Sequence, residues 1–185
     1  MVDRKTQTVL RGIRIPKQLN ELLQKDADAE NRTVSALVAS ILAKYAEWDR
    51  YTHKFGFVTV PRSTFKRMIE TMDEQTYLAA TSEAPATFLE MIRFWYKRVD
   101  PKILCDFCAK LSKYVETTQC EIEERDGDYT ITIEHDLGMK YSNQLKRVYE
   151  TVTRETLRIE PKIEVTNNSV FINFSERSPR VKPPS

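Results

Sequence analysis

Thr8-Val9-Leu10-Arg11-Gly12-Ile13-Arg14-Ile15, closed by Pro16, sets the expected architecture of the N-terminal part of the chain. Its residues favour an extended backbone, and alternation places Val9, Ile13 and Ile15 on one face. Arg11 falls on that same face near its outer end and interrupts the pattern. Pro16 ends the strand, and its fixed φ suits the first turn of a helix. Leu19, Leu22, Leu23 and Ala27 then recur at helical spacing, which predicts a helix from about 17 to 29. Glu30-Asn31-Arg32 breaks the repeat, with Asn31 able to take the left-handed conformation that ends helices. Thr33 is a good N-cap for a second helix, because its hydroxyl can accept from an exposed first-turn amide. That helix carries Leu37, Ile41, Leu42, Tyr45 and Trp48 on one apolar face, long enough to pack on a partner as well as on the first helix.

A lone strand followed only by helices has no local partner for its amides and carbonyls. Pairing with the same strand of a second copy would satisfy them, so folding and dimerisation are expected to be one event. Strand, proline, helix, turn and helix within the first 52 residues resembles the ribbon-helix-helix family of the Arc, MetJ and CopG repressors. The matching residues are Ile13-Arg14-Ile15-Pro16, the leucines of the first helix, and Asn31-Arg32-Thr33-Val34-Ser35-Ala36-Leu37-Val38. The resemblance implies an intertwined homodimer whose two-stranded ribbon enters the major groove of double-stranded DNA. In such a ribbon the outward residues Leu10, Gly12 and Arg14 face the base edges, with Thr8 at the margin. Arg14 would bond guanine and Leu10 would touch a thymine methyl, while Gly12 offers no side chain where the family usually has a polar one. Amides at Thr33, Val34 and Ser35 would anchor a phosphate, and Arg4 and Lys5 would add non-specific attraction.

The rest of the chain predicts an α+β domain over 57–175, in which antiparallel hairpins are covered by helices. Phe57–Val60 is a short strand candidate. Ser63 is placed to cap a helix through Met72, extending toward Ala80, and a second helix fits 86–98. Asp100-Pro101 reads as an N-cap and first-turn proline opening a third helix to about Tyr114. Stretches 119–124 and 129–134 flank an Asp126-Gly127 hairpin signal. A helix from about Ser142 to Arg158 follows, and 163–166 with 170–174 form another hairpin. Residues 176–185, basic and containing Pro179, Pro183 and Pro184, read as a disordered tail.

Composition narrows the function classes. The net charge is only +2, but residues 1–17 hold Arg4, Lys5, Arg11, Arg14 and Lys17 against the single acid Asp3, a weak electrostatic footprint for phosphate. No run approaches a membrane span, and the N-terminus lacks the apolar core of a secretory signal, so cytoplasm is the expected compartment. Cys105 and Cys108 form a CxxC amid Ile103, Leu104, Phe107 and Leu111, which reads as buried thiols; zinc or redox chemistry would have to recruit Cys120, His53 or His135. Glu134-His135-Asp136-Leu137-Gly138 lies where a strand hands over to a helix. His135 and Asp136 are therefore a possible effector site, or else a loop in which Gly138 supplies a special backbone angle. Catalytic motifs are absent, and no enzyme, cofactor or metal is expected. Phe88, Phe94, Trp95, Tyr96 and Phe107 read as core rather than as a stacking platform. The expected function is a DNA-binding transcriptional regulator, most simply a repressor, with a C-terminal domain that governs higher assembly or answers an unidentified effector. An antitoxin-like interaction protein and a Cys/His metal or redox sensor are the alternatives.

Overall fold

The computed structural model describes residues 8–180. It divides into two compact units, 1–50 and 51–185. The first contains α1 (Lys17–Ala29) and α2 (Val34–Lys44), and α2 runs on into a π-helical turn, Tyr45–Asp49. α1 ends in a Schellman turn. Asn31 takes a φ of 51°, while Asn31 N–H donates to Asp28 O and Arg32 N–H to Ala27 O. Thr33 then caps α2, its Oγ1 accepting from Ala36 N at 3.2 Å.

The strand expected over 8–15 is not present: these residues carry no regular secondary structure in the single chain. The physical reason is the one that made the stretch informative. A strand is defined by its ladder, and within one copy of this unit no second strand exists among the described residues to supply it. The apolar faces of the unit are also incompletely used. Ala27, Leu37 and Trp48 are buried, whereas Val9, Leu10, Ile13, Leu19, Leu22, Ile41, Leu42 and Tyr45 are exposed.

The second unit is α+β. After a 3-10 turn at His53–Phe55, Gly56 takes a φ of 63° and stops the helical path. The strand expected at 57–60 is absent as well: the stretch runs into Pro61, and no strand of the sheet pairs with it. Four helices follow, α3 (Arg62–Thr71), α4 (Glu74–Ala80), α5 (Ala84–Tyr96) and α6 (Pro101–Val115). What the sequence suggested as one helix running from Ser63 toward Ala80 is broken at Asp73, whose carboxylate accepts from Thr76 N at 2.9 Å and starts α4 afresh. Asp100 caps α6 in the same way, through Ile103 N.

β1 (Gln119–Arg125) and β2 (Asp128–Glu134) form a hairpin across Asp126 and Gly127, both at positive φ as a type I′ turn requires. α7 (Met139–Thr151), continued by a π-helical stretch Val152–Leu157, precedes β3 (Lys162–Val165) and β4 (Ser169–Ser175). The four strands are antiparallel in the order β1-β2-β4-β3. Tyr129, Ile131 and Ile133 of β2 and Val170, Ile172 and Phe174 of β4 are buried on the face that α6 and α7 cover. Phe88 of α5 joins these layers edge-on, 5.2 Å from the Phe107 ring of α6 and 5.5 Å from that of Tyr149 on α7. Trp95 and Tyr96 also meet Phe107 edge-on; Phe107 is buried as expected of core, while Phe88, Phe94, Trp95 and Tyr96 are only half-buried.

α7 also finishes two helices that precede it by many residues. Lys140 donates to the carbonyls of Ile69, Glu70 and Met72 at the end of α3. Arg147 Nη2 donates to Thr81 O at 2.6 Å and Thr81 Oγ1 at 2.8 Å beyond α4. Cations at helix C-termini satisfy carbonyls that lack an in-helix donor. At the other end, residues 176–180, placed in the tail by sequence, are tied down: Glu176 N donates to Gly127 O and Arg180 Nη1 to Leu157 O. Residues 181–185, with Pro183 and Pro184, lie outside the described residues.

Candidate functional site

Thr8, Leu10, Gly12 and Arg14, expected to face DNA, lie in the irregular segment before α1 and are all exposed, Leu10 at 98%. Arg11 and Arg14 are exposed and form no ion pair among the described residues. At the start of α2, Thr33 engages the Ala36 amide, and Leu37 N–H already reaches Thr33 O. The amides of Val34 and Ser35 have no acceptor among the described residues, as at any helix N-terminus. Arg32, beside this cap, is held by Glu30 at 2.7 Å and donates to Ser40 Oγ at 3.1 Å. Arg4 and Lys5, expected to add attraction for DNA, lie outside the described residues.

His135 and Asp136 sit together at the β2–α7 junction but in opposite situations. His135 is buried with both ring nitrogens engaged. Nδ1 accepts from Leu137 N at 3.1 Å, which puts the proton on Nε2, and Nε2 donates to Ser142 Oγ at 3.0 Å. Ser142 passes its own hydroxyl to Thr166 O at 2.7 Å. Burial holds the imidazole pKa below its ordinary value, with Arg62 acting in the same sense and Asp136 opposing. Such a histidine organises the junction and has no nitrogen left for an effector. Asp136 is exposed and lies between Arg62 and Lys66 of α3. Arg62 also donates to Glu116 O at 2.9 Å, and its hydrogen bond holds the Asp136 carboxyl below the usual range. Gly138 has φ 83° and ψ 175°, a conformation open almost only to glycine. Beyond it Asn167 Oδ1 caps α7 through Met139 N.

The cysteines offer no ready thiolate. All three are free, and burial pushes Cys105 up to about 12 and Cys120 up to about 11. Cys108 is also raised by burial, and its sulfur lies 3.1 Å from Tyr149 Oη. Among the described residues no three His, Cys, Asp or Glu side chains gather to hold a metal ion.

One feature of the second unit has no counterpart in the sequence reading: an open cavity of about 480 Å³ bounded by α4, α5, α6 and α7 and by the inner ends of β1 and β2. Phe88, Met91, Leu111, Ile133, Leu145 and Val148 supply its apolar wall. The legible trace of it is the inner face of α7, where Tyr141, Gln144 and Tyr149 place polar atoms among apolar neighbours at helical spacing.

No protein-family model, curated protein or solved structure matches this chain. Among the described residues no helix is long and apolar enough to cross a membrane.

Proposed function

We propose that the protein is a homodimeric DNA-binding regulator of ribbon-helix-helix type, most simply a repressor, in which residues 8–15 of two copies pair as a β-ribbon. The observation that carries this reading is the unsatisfied surface of the first unit. Of the fifteen exposed large hydrophobic side chains among the described residues, eight lie between Val9 and Tyr45. α2 is apolar on nearly every side, and a helix of that kind is stable in water only when something covers it. A second copy supplies both the missing ladder and the missing apolar cover. Once paired, the ribbon would turn Leu10, Gly12 and Arg14 outward, and the free amides of Val34 and Ser35 would receive backbone phosphates. Arg14 is the reader of base identity, through bidentate contact with guanine. Leu10 and Gly12 contribute little hydrogen bonding, so sequence preference rests mainly on Arg14.

The deciding experiment is fluorescence anisotropy with the protein's own upstream DNA and with random duplex, over a salt series, for wild type and Arg14→Ala. The expected result is preference for the upstream DNA in wild type, reduced by about 1–3 kcal/mol in the variant. Equal, steeply salt-dependent binding to both duplexes would replace sequence readout with a non-specific coat. Absence of binding at low salt would leave the module as a dimerisation element and favour the antitoxin-like alternative.

A further inference from the structure

We propose that the cavity of the second unit is a binding site for an uncharged, largely apolar small molecule bearing one hydrogen-bond acceptor. The site goes beyond the DNA-binding reading and stands whether or not the first unit grips DNA. Its volume, about 480 Å³, lies within the range in which small-molecule sites bury most of their ligand. The wall is built from Phe88, Met91, Leu111, Ile133, Leu145 and Val148, and apolar surface of this extent left in water favours an apolar occupant.

The polar groups in the wall narrow the class. Several are already matched within the protein. Cys108 and Tyr149 bond each other at 3.1 Å, and the Tyr141 hydroxyl is paired with Thr117. Gln144 differs. Its Oε1 accepts from the Tyr77 hydroxyl, while its Nε2 donors have no partner among the described residues, leaving an amide N–H for one acceptor on the ligand. Charge sets the other limit. Glu83 is the only charged side chain among the described residues that line the cavity, and it is exposed, which puts a carboxylate near the mouth. No lysine or arginine among the described residues lines the wall, and the Arg147 guanidinium next to it donates to Thr81 O and Oγ1, so an anionic ligand would lose its water with no counter-charge in the wall itself.

The test uses the full-length protein and two naphthalene dyes of similar size. Prodan is uncharged and carries a ketone; anilinonaphthalenesulfonate is an anion. Prodan is expected to bind with one dye per chain and a blue-shifted emission. The sulfonate is expected to bind roughly tenfold more weakly or worse, because its charge is desolvated without compensation. Thr87→Trp and Ala80→Trp fill the cavity from exposed positions on different helices, so the fold should survive, as circular dichroism would verify. Each should weaken Prodan at least about tenfold by occupying its space. Prodan binding that is absent in wild type, or undiminished in both filled variants, would overturn the site; the latter result would put the dye on the exposed apolar face of the first unit. Sulfonate binding as tight as that of Prodan would overturn the assignment of an uncharged ligand.

Discussion

His135 shows what a single buried side chain contributes at the β2–α7 junction. Because Nδ1 accepts and Nε2 donates, the network requires the neutral ring, and protonation would set a second proton against the Leu137 amide. The folded-state pKa is lowered from its ordinary 6.5, so the unfolded chain binds a proton first as pH falls. The stability supplied by the neutral ring is therefore complete above 6.5 and is lost as pH falls from there through the lowered folded value. Urea melts between pH 7.5 and 5 should show the second unit weakening, with a shallower slope in His135→Gln; equal slopes would remove His135 as the cause. Gly138, three residues on, was legible in sequence as a special backbone angle, and its φ of 83° gives that reading its physical content. The engagement of both imidazole nitrogens was not legible. It depends on Ser142 and on the Thr166 carbonyl, and the latter reaches the junction only when β3 and β4 close against α7.

Elements whose ends are chemically marked could be read from sequence, and elements fixed by distant partners could not. Asn31 and Thr33 delimit α1 and α2 through contacts within a few residues, as do Asp100 for α6 and Asp126-Gly127 for the β1–β2 hairpin. Thr33→Ala should therefore cost about 1 kcal/mol in the first unit, read as a lower thermal midpoint, since it orphans the Ala36 amide. A shift too small to measure would mean that partner contacts outweigh the cap. By contrast, the break at Asp73 competes with a continuing apolar repeat, and only the cap geometry shows which prevails. Residues 8–15 fall between these cases. Their alternation is a strand signal, but strand is a property of a pair, and a single copy cannot express it. The cavity was hidden for a related reason, since its wall is assembled from helices and strands that no local pattern relates.

At the scale of the whole molecule, the first unit buries little apolar surface within one copy. Among the described residues Ala27, Leu37 and Trp48 are its buried apolar residues, in a segment where several larger side chains face water. Small units need oligomerisation or another staple to hold their fold. The thermal midpoint of this unit should consequently rise with protein concentration, as mass action requires of coupled folding and association. Leu22→Glu or Ile41→Glu, at positions exposed in one copy, should shift sedimentation equilibrium from dimer to monomer. Dimers unaffected by either substitution would put the subunit contact elsewhere.

The reach of Lys140 and Arg147 back to α3 and α4 has a consequence for how the chain comes into being. Ile69 leaves the ribosome 71 residues before the lysine that finishes its helix, and Thr81 leaves 66 residues before its arginine. At translation speeds of about 5–20 residues per second, that interval lasts roughly 4–14 s. Through it α3 and α4 wait on the nascent polypeptide without Lys140 and Arg147 at their carbonyl ends, while the first unit has already been made. Birth order thus brings out the surface proposed to dimerise before the C-terminal half can close.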